Sequence, residues 1–147
     1  MTIFANNKRA LFKYQILEEF EAGIALNGQE VKSIKGGRII LPGSYVIVRG
    51  AEVYLIGAQI PAYQPKNAPK DYDGQRIRKL LLKKSEINYL IGKTQTKGLT
   101  LIPLKIYSKK GIIKVVFGLG KVLKKYDKRE KIKDRDVKIN IARALKE

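Results

Sequence analysis

Short β-rich runs punctuated by glycine set the limits on how this chain can fold. Residues 45–49 and 53–60 flank Gly50-Ala51, and residues 99–107 and 112–119 flank Lys109-Lys110-Gly111, so each pair reads as a hairpin. Further upstream, Phe12, Tyr14 and Ile16 alternate with Lys13 and Gln15 as in a half-buried strand, and Gly23 is expected to separate it from residues 24–26. Two short helices are expected among these strands. One covers the segment from Gly28 and ends at Gly36 or Gly37; the other starts on a Ser85 cap, carries Ile87, Leu90 and Ile91 on its apolar side, and closes at Gly98. Pro42-Gly43 marks a turn, and residues 63–75, with Pro65, Pro69 and Gly74, form a long loop. Five or six short strands with few helices predict a mainly β chain, an OB-like closed β-barrel with flanking helices.

The barrel is expected over residues 11–120, after a loose segment at 1–10. Residues 121–147 contain no Gly or Pro and carry 11 basic against 5 acidic side chains. Asp127 with Lys131 and Asp134 with Lys138 have the favourable helical order, but the apolar face is thin. This segment reads as a basic tail, disordered alone and helical on a partner.

Charge and missing residue types then narrow the function. The sequence has 31 Lys+Arg against 13 Asp+Glu, a net of +18, which calls for a polyanionic partner, nucleic acid before an anionic membrane. It has no His and no Cys, which removes imidazole bases, thiolate nucleophiles, disulfides and Cys/His metal sites. Residues 53–65, the longest uncharged run at 13 residues, fall short of the ~20 needed to span a bilayer. With no signal-peptide pattern at the start, cytoplasmic residence is expected. Phosphate-loop chemistry fails at Gly118-Leu119-Gly120-Lys121, where Val122 replaces the required hydroxyl residue, and a calcium loop from Asp71 fails at Arg76 and Leu82. A metal-dependent nuclease using Asp71 and Asp73 is the remaining enzymatic reading. No catalysis, cofactor or metal is expected.

Arg76, Arg78, Lys79, Lys83 and Lys84 bracket residues 80–82. A strand there places Arg78 with Leu80 on one face and Lys79 with Leu81 on the other. The plain alternative is a core strand with solvated ends; the overall charge favours phosphate contacts. Among the aromatic residues, Phe12, Tyr45, Tyr54 and Phe117 have core-like spacing, whereas Tyr63, Tyr72 and Tyr126 are placed to stack on bases.

The segments FEAGI from Phe20, GQEVKS from Gly28, RIRKLLL from Arg76, GLTLIPLKIY from Gly98, and DKRE from Asp127 with Ile132-Lys133 occur in an order that resembles the small protein B (SmpB), or SsrA-binding protein, family. The resemblance implies an OB-type barrel with a C-terminal tail and an RNA-binding adaptor rather than an enzyme. Its partner would be transfer-messenger RNA (tmRNA), bound at the tRNA-like domain. Elongation factor Tu and alanyl-tRNA synthetase would be reached through that RNA. On ribosomes stalled on non-stop messages the protein would replace the missing codon–anticodon duplex, with its tail in the empty mRNA channel of the small subunit. It implies RNA contacts at Glu21, Leu81 and Lys114, with Leu81 as core and Glu21 as partner of a lysine the plain alternatives. Asp127, Lys128 and Arg129 match the tail motif for the decoding centre, beside Lys121, Lys124, Lys125 and Tyr126 and followed by Ile132, Lys133 and Arg135. The chain departs from the family at residues 120–125, which lack the Gly and one Lys of the Ala-Lys-Gly-Lys-Lys run often found before the tail, and at Gln59 and Lys83, where histidine is common. A structural ribosomal protein would share the size, the charge and the tail.

Overall fold

The computed structural model describes residues 2–64, 66, 70 and 72–123. They form seven strands and three helices: β1 (Thr2–Asn6), α1 (Lys8–Lys13), β2 (Tyr14–Ile24), α2 (Gly28–Lys35), β3 (Tyr45–Arg49), β4 (Glu52–Ile56), β5 (Arg78–Leu81), α3 (Lys84–Thr94), β6 (Leu99–Lys109) and β7 (Ile112–Val122). The fold is mainly β. Pairing runs β6-β3-β4-β5-β2-β7 and returns from β7 to β6, so six strands close a ring, and β1 adds to the far half of β6.

Alternation builds the ring. In β5 the burial runs buried, exposed, buried, exposed, with Arg78 and Leu80 inside and Lys79 and Leu81 outside, as the period of two requires. Val46, Val53, Leu55, Leu80, Leu101, Ile106, Val115, Phe117 and Leu119 fill the interior, and Ile34 of α2 and Leu90 of α3 seal it. The β6–β7 hairpin turns on Lys110 and Gly111, at φ of 52° and 78°, the two left-handed positions of a tight hairpin loop. Gly118 and Gly120 lie inside β7 rather than in a phosphate loop. A Cβ at 120 would stand 2.7 Å from Ile102 Cδ1 and 3.2 Å from Tyr14 Cβ, because neighbouring side chains cross over the strand there.

Several expectations are corrected. Residues 2–6, expected to be loose, pair with β6 in a register that runs from Thr2–Ser108 to Asn6–Lys105, a partner roughly a hundred residues away. Phe12 and Lys13 belong to α1, and β2 begins at Tyr14. Gly23 does not break that strand; it pairs with Leu81 on one side and Lys114 on the other. The cap of α3 is at Lys83, whose N–H donates to Glu86 Oε1 at 3.1 Å, so Ser85 falls inside the first turn. The helix ends at Thr94, and Gly98 (φ 86°) turns the chain into β6. Strand β7 continues through Lys121 and Val122, past the expected start of the tail, and the tail from residue 124 onward lies outside the described residues.

One buried ionic cluster ties the sequence-distant parts together. Asn27 and Glu30 form a capping box at the start of α2: Asn27 Oδ1 accepts the Glu30 N–H at 2.9 Å, and Glu30 Oε1 accepts the Asn27 N–H at 3.0 Å. The same carboxylate accepts Arg76 Nη2 at 2.6 Å, and on its other oxygen Arg78 Nε at 2.7 Å and Nη2 at 2.6 Å. Glu30 and Arg78 are both fully buried. Arg78 also donates to the carbonyls of Ala58 (2.8 Å) and Gly74 (3.0 Å), and Arg76 reaches the Ala25 carbonyl at 3.2 Å. The cluster therefore clamps α2, the end of β2, the segment after β4 and the entry to β5. It sits beside the β2–β5 seam, which has only two register pairs of its own, Gly23–Leu81 and Ile24–Leu80.

Burial pushes the Glu30 carboxyl up, but the bonds from Arg76, the Asn27 N–H and Arg78 outweigh it and hold the group below its ordinary value. Glu30→Ala leaves Arg78 buried without its counter-charge and is expected to cost about 3–5 kcal/mol in urea unfolding. Because the folded state depresses this carboxyl, its contribution is present above the usual value of 4.5 and is lost as pH falls through the lowered one. A Glu30→Gln variant should accordingly lose less stability than the wild type on acidification below that value.

Candidate RNA interface

Residues from three strands meet on the outside of the ring. Gly23 in β2 stands opposite Leu81 of β5 and Lys114 of β7, so these three share one outward-facing row, with Glu21 two residues back on the same strand. Tyr107 of β6 continues the row opposite Lys114, and Ile3 of β1 follows opposite Tyr107. Glu21, Gly23, Leu81, Lys83, Glu86 and Lys114 line a concavity of about 590 Å³.

Each position has a local cause. Gly23 presents no side chain, and a Cβ there would lie 3.3 Å from Leu81 Cβ, so Leu81 leans over the bare backbone. Leu81 is 53 % exposed, which rules out the plain core reading. The carboxylate of Glu21 is exposed and accepts the Tyr107 hydroxyl; burial, then this bond and charge, raise the Tyr107 phenol. Among the described residues Glu21 makes no ion pair, so the lysine partner considered for it is not found. Lys114 is half-buried between β2 and β6, and Lys105 Nζ lies 5.4 Å from the centre of the Tyr107 ring.

The basic cluster divides. Lys83 is exposed on the rim of the concavity. Lys79 is exposed on the same outward face of β5 but bonds to Glu52 at 2.9 Å, and Tyr54 donates to that carboxylate too, which lowers the Glu52 carboxyl and raises Lys79. Arg76 is partly exposed yet held by Glu30. Arg78 is not a phosphate contact: it is completely enclosed and its donors are occupied by protein. Lys121 is exposed on β7 between Gln15 and Leu99. Lys124, Lys125, Tyr126, Asp127, Lys128, Arg129, Ile132, Lys133 and Arg135 lie outside the described residues, as does Asp71.

One aromatic residue carries more of the surface than its spacing suggested. Tyr45 is 46 % exposed, whereas Phe117 is fully enclosed. The signal for Tyr45 was Arg49, a charge at the same parity of the strand. Tyr63 is exposed with Lys32 Nζ 5.8 Å from its ring centre, and Tyr72 is tied by its hydroxyl to the Ile60 carbonyl at 2.6 Å.

The arrangement offers contact chemistry. Leu81 presents an apolar face of the kind that packs on a base or sugar, Lys114 and Lys83 are cations able to pair with phosphates, and Glu21 is an acceptor suited to amino or hydroxyl donors.

A family model described as SmpB protein matches residues 4–147. The SsrA-binding protein of Halalkalibacterium halodurans is 48% identical over 145 residues, covering 99% of this chain and 94% of that protein. That of Trichormus variabilis is 46% identical over 144 residues, covering 98% and 93%. A chain from a solved structure described as "tmRNA-SmpB: a journey to the center of the bacterial ribosome" superposes with a TM-score of 0.69 at 41% identity, covering 90% of this chain and 95% of that one. With a family match over nearly its whole length and relatives at this identity, the chain belongs to the SmpB family.

Proposed function

We propose that this protein is the tmRNA-binding adaptor of trans-translation and that the concavity around Gly23 holds the tRNA-like domain of that RNA. The observation that carries the reading is the convergence of Glu21, Leu81 and Lys114, from three separate strands, on one outward-facing site. The names of its relatives, SsrA-binding proteins, and the tmRNA–SmpB structure it resembles support the same assignment. The strand ring serves as an OB-type barrel, a rigid body for RNA recognition rather than a catalyst. In this reading tmRNA carries the protein, through elongation factor Tu and after charging by alanyl-tRNA synthetase, to ribosomes stalled on non-stop messages. The segment that follows strand β7 then occupies the decoding centre and the vacant mRNA channel, with Lys124, Lys125, Tyr126, Asp127, Lys128 and Arg129 at its root and Ile132, Lys133 and Arg135 beyond. Body and tail have separate tasks in the cytoplasm.

Three measurements test this. Lys114→Glu replaces a charge-assisted contact of about 1.5–3 kcal/mol with repulsion, so tmRNA affinity should fall about tenfold or more at near-physiological salt. The salt dependence of log K should flatten by about one phosphate. An unchanged dissociation constant removes Lys114 from the site. Leu81→Ala should change unfolding stability by no more than about 0.5 kcal/mol, because the side chain is already half in water, while weakening tmRNA binding several-fold. A chain truncated after Lys125 should retain nearly full affinity for tmRNA and lose tagging on stalled ribosomes; loss of most affinity would refute the division of tasks.

A further inference from the structure

Glu21 and Lys114 stand close enough to neutralise each other. Glu21 lies opposite Val116 and Lys114 opposite Gly23, so the two are diagonal neighbours on the outer face of the β2–β7 ladder. Diagonal neighbours are about 7–8 Å apart, within reach of long side chains, and opposite charges placed in this way attract. Both residues line the concavity, yet they form no ion pair among the described residues. A bond between them would leave neither free for RNA.

Tyr107 stands where it can keep them apart. It lies opposite Lys114 on the far side of β7, with Ile3 of β1 opposite it in turn. Adjacent strands are about 4.8 Å apart, which puts the β2 and β6 backbones roughly 10 Å apart, a gap that a tyrosine and a glutamate side chain close between them. The hydroxyl reaches over β7 and donates to the Glu21 carboxylate. Its ring is hemmed in: Tyr107 is only 5 % exposed, and Lys105 Nζ lies 5.4 Å from the ring centre. Burial first, and then the carboxylate itself, raise the phenol, so it stays protonated and remains a donor. Enclosed in this way, Tyr107 presents almost no surface of its own to a nucleic acid, and its part in binding passes through Glu21.

We propose that Tyr107 is a positioning residue of the groove: its hydroxyl holds the Glu21 carboxylate off Lys114, so that acceptor and cation face RNA as two separate groups. The proposal rests on the tmRNA reading of this concavity. Phenylalanine at this position keeps the ring and its packing and removes only the donor. Glu21 is then released onto Lys114, and one lost hydroxyl silences two contacts.

The test is the affinity of the full chain for the isolated tRNA-like domain of tmRNA, measured across a salt series. Tyr107→Phe should bind about tenfold more weakly, the scale of one charge-assisted contact. Its log K should also fall less steeply with log salt, by up to about one phosphate, because a lysine has been diverted. Glu21→Gln removes the competing charge, so its salt dependence should remain that of the wild type, and adding Tyr107→Phe to it should change neither affinity nor slope. Wild-type affinity or an unaltered salt slope in Tyr107→Phe would overturn the proposal. An equal loss from Tyr107→Phe in the Glu21→Gln background would overturn it too, since the hydroxyl would then support the fold and not the carboxylate. Lys114→Glu separates the two readings. If it weakens binding while Tyr107→Phe does not, the positioning role fails and the tmRNA assignment of the groove stands; wild-type affinity in Lys114→Glu overturns both together.

Discussion

The bond between Glu30 and Arg78 is the constraint on which the rest of the architecture depends. A fully buried ion pair is stabilising only if its remaining hydrogen-bonding capacity is met, and here the carbonyls of Ala58 and Gly74 and the N–H of Asn27 meet it. The pair joins the first helical turn of α2 to the entry of β5, positions 48 residues apart in sequence. Leu81 lies three residues beyond Arg78, so the clamp fixes where β5 delivers it against Gly23. The β2–β5 seam has little ladder of its own, and the outward-facing row of Gly23, Leu81 and Lys114 crosses it. Geometry at the surface is thus set by charge in the interior.

The groove shows how a surface with the chemistry to meet RNA can be assembled from single residues rather than a motif. Its members come from positions 21, 81 and 114, and what unites them is a glycine that two strands approach from opposite sides. A carboxylate within such a site has a cost near phosphates. Its bond to the Tyr107 hydroxyl holds Glu21 in place, and its acceptor-only chemistry restricts it to amino and hydroxyl partners.

Local features were the legible ones. The Lys110-Gly111 hairpin, the helix at Gly28 and the shared face of Arg78 and Leu80 follow from turn chemistry and period, which act over a few residues. Hidden from that logic was the meaning of the parity: Arg78 reads as a phosphate ligand until Glu30 is placed beside it. The pairing of β1 with β6 was equally invisible, since a stretch of five residues becomes a strand only when an edge is offered to it. Gly23 misled for a related reason, because a glycine that ends a strand and one that makes room for a neighbour look alike in sequence. Glu21, Leu81 and Lys114 came from resemblance to a family rather than from spacing, and their meeting place became evident only in three dimensions.

Strand β7 has a mechanical consequence. It is flanked along its length, by β2 from Tyr14–Val122 to Gly23–Lys114 and by β6 from Leu99–Lys121 to Lys109–Ile112. A pull on the chain beyond Val122 that runs along the strand loads both hydrogen-bond ladders in shear, many bonds at once, instead of peeling them one by one. An edge strand or a helix at that place would yield by unzipping. The fold thus anchors the C-terminal segment in the geometry best suited to bear tension, and the same strand carries that load toward Lys114 at its other end.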